Sequence, residues 1–297
     1  MAVDKIEIVE VGARDGLQNE SVVLSTADKV RLIEQVAAAG VKRIEVASFV
    51  HPTLVPQMAD AEAVVAEVGS VPAISRIGLV LNRRGLQRSL ATDVDELNFV
   101  VGASEGFNQA NQRATVSETM AAIEEMVPEA VAARRRTTVT ISVAFGCPYE
   151  GEVAKGAVVA LAERAVAAGA DEVALGDTIG VAVPADVTAL LSALDVTTPL
   201  RCHFHDTRNT GVANVVAAVA AGVTVVDASV GGTGGCPYAP KATGNVPTED
   251  VVYTLHRMGY TTGIDLDAMI ATGHWLADKL GKTLPSALGR AGTWPEA

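Results

Sequence analysis

The residues best suited to chemistry are two histidines, His203 and His205, separated by a single position. Alternate residues of a β-strand point to the same side, so both imidazoles can reach one ion. With an oxygen donor such as Asp15 they suit a borderline-to-hard divalent cation, and Asn245 could add a carbonyl oxygen. The spacing predicts a metal site. The alternative, in which one histidine is structural and the other only lines a cleft, stays open.

A second group of charged residues lies earlier in the chain. Arg14 and Asp15 place a cation beside a carboxylate, which could hold a substrate oxygen while the aspartate binds metal or moves a proton. For the dipeptide alone, a surface ion pair is the competing interpretation. Glu45 lies in an otherwise apolar strand, where a charge must find a partner, and we expect that partner to be Arg14. Asp177 ends another strand.

A glycine-rich loop carries a thiol. Residues 231–236 read Gly-Gly-Thr-Gly-Gly-Cys, and such a loop could fold over a site and deliver Cys236 as a proton donor or nucleophile. It could equally bind phosphate or simply turn. A zinc site built from Cys147, Cys236 and a histidine is a rival chemistry. Cys202 falls within a strand and is expected in the core.

The rest of the chain predicts a scaffold that brings these residues together. Short β-branched runs alternate with stretches whose apolar residues recur at helical spacing, as in βα units. Eight units favour a closed (β/α)₈ TIM barrel over an open sheet, and no G-x-G-x-x-G follows the first strand. The expected strands cover 6–11, 43–47, 77–81, 96–101, 138–144, 172–176, 200–205 and 224–228. Active sites of such barrels lie at the carboxyl ends of the strands.

We expect one catalytic domain over 1–297. The barrel should occupy about 5–260, and an additional C-terminal helix with a loose tail should occupy about 264–297, the helix itself at 266–280 and the tail from 285. Three cysteines, an odd number in a chain with ample core, argue against a disulfide scaffold.

Composition excludes several partners. The net charge is −12 and no long basic run occurs, so a nucleic-acid partner is not expected. No stretch approaches about 18 apolar residues, and Asp4, Lys5 and Glu7 interrupt the start where a signal peptide would be apolar. These features predict a cytoplasmic protein that does not engage a membrane.

Seven short motifs, in order along about 6–281, resemble those of the 3-hydroxy-3-methylglutaryl-CoA lyases, which are metal-dependent barrel lyases. They are VGARDGLQNE at 11–20, SFV at 48–50 with VPQM at 55–58, GCPYEG at 146–151, LGDTIG at 175–180, HFHDT at 203–207, GGCPY at 234–238 and GN at 244–245.

The resemblance implies an acyl-CoA substrate, cleaved to acetyl-CoA and acetoacetate, and a role in leucine degradation and ketone-body formation. It also implies a homodimer and a Mg²⁺ or Mn²⁺ ion. The implied ligands are Asp15, His203, His205 and Asn245. The implied catalytic groups are Arg14 against the substrate's oxygens, Asp15 or His203 for the hydroxyl proton, Cys236 on the loop, and Glu45 and Asp177 in support.

Three positions near the expected mouth depart from the family pattern. They are Arg208, where we expect tyrosine, Ala174, where we expect serine, and His51, where we expect serine. They leave open the same chemistry on another branched 3-hydroxyacyl-CoA, such as citramalyl-CoA or an isoprenoid-derived analogue. A condensing synthase or aldolase is disfavoured by the cysteine loop. A catalytically silent barrel that serves as a binding protein is the alternative outside enzymes.

Overall fold

The computed structural model describes residues 5–69, 71, 73–235 and 244–293. Eight parallel strands form a closed barrel in chain order, with the first strand paired to both the second and the eighth. The strands are β1 Glu7–Glu10, β2 Arg43–Ser48, β3 Ser75–Val80, β4 Glu96–Gly102, β5 Arg136–Ser142, β6 Glu172–Asp177, β7 Leu200–Phe204 and β8 Val225–Ala228. The expected TIM barrel is confirmed.

Helices surround the barrel and pack apolar stripes against it. They are α1 Thr26–Ala38, α2 Ala61–Val68, α3 Arg83–Leu90, α4 Glu105–Gln112, α5 Val116–Ala132, α6 Lys155–Ala167, α7 Pro184–Leu191, α8 Gly211–Ala220, α9 Thr248–Arg257, α10 Leu266–Leu280 and α11 Ala287–Ala291. Among the residues described, no helix is long and apolar enough to cross a membrane.

The C-terminal helix α10 has the expected bounds because both of its ends are specified locally. The Asp265 side chain accepts a hydrogen bond from the N–H of Ala268, and Gly281 takes a left-handed conformation with φ of 64°. The expectation of a loose tail from 285 is wrong over the described part. There α11 begins under a cap from Asp250, whose carboxylate accepts hydrogen bonds from the N–H groups of Ala287 and Leu288.

Charged side chains fill the amino end of the barrel interior. Arg43 reaches Glu96 at 2.6 Å and Glu172 at 2.9 Å, and Arg201 lies 3.5 Å from Glu172. Arg136 reaches Glu172 at 3.0 Å. Glu7 lies 3.2 Å from Arg43. Glu7 and the five residues just named are called the bottom cluster. Every arginine in it faces a carboxylate, which is how a charge tolerates burial.

Candidate active site

A tight turn directly after β1 presents two of the expected site residues. Residues Gly12–Gly16 form a single π-helical turn that carries Arg14 and Asp15. A Cβ atom on Gly16 would lie 2.4 Å from Oγ1 of Thr233, so only glycine lets this turn approach the loop after β8. The first and last strands of the barrel therefore bring their loops into contact at the mouth.

Three expected ligands converge at this mouth. The ligand atoms of Asp15, His203 and His205 all lie within 4.8 Å of one another. The two Nε2 atoms are 3.1 Å apart, close to the spacing of neighbouring ligands about 2.1 Å from one ion. His205 lies just beyond the end of β7 rather than within it, because there its backbone forms an isolated bridge with Asn245.

Asn245 supplies the observation that best tests a cation site. Its amide nitrogen donates hydrogen bonds to Asp15 Oδ2 at 2.8 Å and to the carbonyl oxygen of Thr233 at 3.0 Å. Its Oδ1 is buried and has no hydrogen-bond partner. A buried acceptor without a donor is costly, and a divalent cation is a group that such an oxygen can bind. The set of two imidazoles, one carboxylate and one amide oxygen is therefore a possible divalent-metal site.

Arg14 joins this site to Glu45, as the sequence analysis expects. Its Nε donates to Glu45 Oε2 at 2.7 Å, and its Nη1 donates to Asp15 Oδ1 at 2.6 Å. Asn98 donates to the other oxygen of Glu45 at 3.1 Å. The guanidinium is thus bound by two carboxylates, Glu45 at Nε and Nη2 and Asp15 at Nη1. The residues Arg14, Asp15, Glu45, His203, His205 and Asn245 are called the mouth cluster.

The electrostatics of the cluster keep its carboxylate ligand ionised. Burial opposes the charge on Asp15, yet Arg14 and the two histidines nearby lower its pKa to about 2. For His203, burial favours the neutral form, but the hydrogen bond and charge of Asp227 raise its pKa. An ionised carboxylate beside two imidazoles is an arrangement that attracts a cation.

Asp177 lies near the mouth cluster, but its hydrogen bonds are made to the loop that follows β6. Its carboxylate accepts hydrogen bonds from the N–H groups of Val181 and Ala182 and so shapes the loop between β6 and α7. Burial raises its pKa. Arg208 holds the same loop by donating to the carbonyl oxygens of Ile179 and Gly180.

The cysteines separate into different environments. Cys236 lies outside the described residues, but the chain just before it is at the mouth, where Gly235 accepts a hydrogen bond from Asn19 at 2.7 Å. Cys147 is buried and its sulfur accepts from the Ser104 hydroxyl at 2.9 Å. The one possible metal cluster found within the described residues does not include Cys147, so the zinc alternative gains no support from it. Cys202 is in the core, as expected.

Two acidic residues have roles that the sequence analysis missed. Asp227 on β8 contacts Nδ1 of His203 at 3.1 Å. An acid inside the apolar strand Val225–Ala228 is the same signal that drew attention to Glu45. Glu10 is polar at the end of β1, but it is fully buried beneath the mouth and accepts hydrogen bonds from the N–H groups of Gly12 and Val230.

Comparison with known proteins assigns this site to a family. A family model described as HMGL-like matches residues 5–275. The hydroxymethylglutaryl-CoA lyase YngG of Bacillus subtilis is 41% identical over 285 residues, which cover 95% of each chain. An (R)-citramalyl-CoA lyase of Chloroflexus aurantiacus is 42% identical and covers 98% of this chain and 96% of that protein.

A solved structure gives the same result in three dimensions. It is an HMG-CoA lyase from Acinetobacter baumannii in complex with coenzyme A and 3-methylmalate, with a TM-score of 0.94 and 37% identity over 99% of this chain and 98% of that one. Since the family model and these relatives span nearly the whole chain, the protein belongs to the HMGL-like family.

Proposed function

We propose that this chain is a divalent-metal-dependent carbon–carbon lyase that cleaves 3-hydroxy-3-methylglutaryl-CoA to acetyl-CoA and acetoacetate. The observation that carries the proposal is the convergence of Asp15, His203 and His205 on one point beside Arg14, in a chain whose close relatives include hydroxymethylglutaryl-CoA lyases.

The proposed ligands of the ion are Asp15, His203, His205 and Asn245. The partnerless Oδ1 of Asn245 supports its inclusion. A set of two imidazole nitrogens and two oxygens suits Mn²⁺. It suits Mg²⁺ less well, because Mg²⁺ prefers oxygen ligands. When bound, such an ion lowers the pKa of the substrate hydroxyl and fixes its orientation.

The chain's own residues carry the proton and the charge. The tertiary hydroxyl at C3 loses its proton to Asp15, the C3–O bond becomes a carbonyl, and the bond between C2 and C3 breaks. His203 binds the ion through one ring nitrogen and carries a proton on the other, so it has no lone pair left for the hydroxyl proton. The electron pair of the C2–C3 bond passes into the thioester as an enolate. Arg14 faces the enolate oxygen, and Glu45 holds the guanidinium in that orientation through two short contacts of 2.7 and 2.5 Å.

The enolate then needs a proton at C2 to become acetyl-CoA, and Cys236 is the proposed donor. The loop before it reaches the mouth at Gly235, which is bonded to Asn19. Closure of the loop would exclude water until the carbon is protonated. Asp177 supports the mouth by holding the neighbouring loop rather than by touching the reacting atoms.

The acyl group is the finer part of the proposal. Identity does not separate the candidates, because the relative that acts on citramalyl-CoA is as similar as the one named for hydroxymethylglutaryl-CoA. Both substrates release acetyl-CoA, whereas the second product is acetoacetate from one and pyruvate from the other. The second product therefore identifies the substrate.

The test is to incubate the purified protein with racemic 3-hydroxy-3-methylglutaryl-CoA or citramalyl-CoA and Mg²⁺ or Mn²⁺. We expect metal-dependent formation of acetoacetate that is lost in EDTA and in Cys236→Ala. Cys147→Ala is the matched cysteine control and should retain activity, whereas the zinc alternative requires its loss. A folded, metal-loaded protein that cleaves neither substrate would exclude both assignments and leave another branched 3-hydroxyacyl-CoA, such as the isoprenoid-derived analogue, or a non-catalytic barrel.

We further propose, on family resemblance alone, that the chain acts as a cytoplasmic homodimer in leucine degradation and ketone-body formation. Sedimentation of the purified protein tests the dimer directly: a monomer at working concentration contradicts it.

A further inference from the structure

In the proposed metal site His203 binds the ion through one ring nitrogen, so the imidazole proton must be held on the other nitrogen. A neutral imidazole carries its proton on either Nδ1 or Nε2, and only a deprotonated Nε2 can bind an ion. The Nε2 atom of His203 faces the Nε2 atom of His205 at 3.1 Å. The proton of His203 therefore has to be on Nδ1 for the site to work.

Asp227 is placed where it can hold that proton. In the parallel pairing of β7 with β8, Asp227 is the register partner of His203. Its Oδ2 lies 3.1 Å from Nδ1 of His203. The carboxylate is nearly buried, with its side chain 7% exposed, so water competes little for this contact.

A buried arginine holds the other oxygen of the same carboxylate. Arg201 lies two residues before His203 on β7, and its side chain is only 2% exposed. Its Nε is 3.3 Å from Oδ1 of Asp227, and its Nη1 is 3.5 Å from Glu172 in the bottom cluster. Asp227 thus stands between the Arg201 guanidinium and the His203 imidazole, and its Oδ2 is directed at Nδ1 as an acceptor.

We propose that Asp227 is a positioning residue that holds His203 in the tautomer with its proton on Nδ1, so that Nε2 is free to bind the metal. Arg201, whose Nε lies 3.3 Å from Oδ1 of Asp227, keeps the carboxylate turned toward the histidine. The inference rests on the proposed metal site and adds a residue outside its ligand set. Groups that orient a ligand in this way commonly change metal affinity by roughly 10- to 100-fold when they are removed.

The test compares Mn²⁺ binding to the metal-free wild type and to Asp227→Asn by isothermal titration calorimetry. An asparagine side chain has the same size but can donate a hydrogen bond to Nδ1. It therefore stabilises the tautomer of His203 that carries its proton on Nε2. We expect the Kd for Mn²⁺ to rise roughly 10- to 100-fold, with partial recovery of kcat at saturating Mn²⁺. Asp171→Asn is the matched control, because Asp171 accepts hydrogen bonds from Thr137 at the opposite end of the barrel, and its Kd should not change.

A second measurement needs no variant at position 227. In the Mg²⁺-loaded wild type, proton NMR should show a slowly exchanging, downfield Nδ1 proton on His203, which replacement of each of the five histidines would assign. If a folded Asp227→Asn binds Mn²⁺ as tightly as the wild type, or if the protected proton is absent, the inference about Asp227 is overturned and the metal site is not. Failure of the wild type to bind Mn²⁺ overturns the metal site and the inference with it.

Discussion

The bottom cluster and the mouth cluster both bury charge inside one barrel, but only the bottom cluster is balanced. Three arginines and three glutamates meet at the bottom, namely Arg43, Arg136, Arg201, Glu7, Glu96 and Glu172. At the mouth a single cation, Arg14, faces two carboxylates, Asp15 and Glu45. The mouth also keeps a buried acceptor, Asn245 Oδ1, without a donor.

This difference in charge balance distinguishes a cluster that stabilises the fold from one that is suited to bind a ligand. In the bottom cluster each charge has a counter-charge from the chain itself, although Nε and Nη1 of Arg201 make no hydrogen bond, so the network needs no ligand to balance its charge. The mouth cluster has an excess negative charge and an oxygen without a hydrogen-bond partner, no second cation among the described residues balances it, and this fits the proposed metal ion. The same residue types therefore serve stability at one end of the strands and chemistry at the other.

The largest expected effect is on catalysis at the mouth. Asp15→Asn removes the only carboxylate of the proposed ligand set, and we expect kcat to fall about 10³-fold or more while the protein stays folded. Steady-state kinetics with acetoacetate as the readout checks this. A variant with near wild-type kcat at saturating metal would remove Asp15 from the site.

Charge removal at the bottom should act on stability instead. Arg43→Met leaves Glu96 and Glu172 without their closest cation, so we expect the free energy of unfolding to fall by about 3–5 kcal/mol with activity retained by the folded protein. The matched control is Arg164→Met on the surface, where the pair with Glu124 should contribute about 0.5 kcal/mol or less. Urea titration measures both, and equal losses would contradict the distinction between the clusters.

Metal should stabilise the protein only through the mouth. At a Mn²⁺ concentration 100 times the Kd, binding to the folded state alone adds about 2.7 kcal/mol to the free energy of unfolding. Arg43→Met should keep this increment, whereas Asp15→Asn should lose most of it. If Mn²⁺ stabilises both variants equally, the ion binds somewhere else.

A third set of buried acids, Glu10 and Glu249 beneath the mouth, has no ion-pair partner among the described residues and should make stability depend on pH. Burial raises the pKa of Glu10 to about 7 and that of Glu249 to about 8, and nearby Asp227 and Asp250 act in the same direction. Between an ordinary pKa of 4.5 and these values the folded state binds more protons than the unfolded state. Stability from these groups is thus fully present below about pH 4.5 and is lost as the pH rises through 7 and 8.

Each of the two groups contributes a slope of up to about 1.4 kcal/mol per pH unit. Glu10→Gln should flatten the decline in unfolding free energy between about pH 4.5 and 7, measured by urea titration at several pH values. A variant that declines as steeply as the wild type would show that Glu10 is ionised in the folded protein throughout this range.

Local signals in the sequence were sufficient for the scaffold. The ends of α10 were predicted because Asp265 and Gly281 specify them within a few residues. The convergence of Asp15, His203 and His205 was predicted because strand alternation places the two histidines on one side, and strand ends meet at one mouth.

Contacts between residues far apart in the sequence could not be predicted from such local signals. The helix α11 was missed although Ser286 caps it locally, because the carboxylate that binds its first N–H groups, Asp250, precedes it by 37 positions. The role of Glu10 was missed because the loop that buries it begins at Val230, 220 positions later in the chain. Asp227 was overlooked because its partner stands on the neighbouring strand, and only the register reveals the pair.

The contact between Asp15 and Asn245 joins residues 230 positions apart, and this has a consequence for how the protein is made. During synthesis the ribosome releases β1 to β7 long before Asn245 exists, so the nascent chain can compact without a working site. Contacts of such long range are slow to form because closing the loop costs entropy. Activity should therefore appear only after release of the full chain, as the last event of folding.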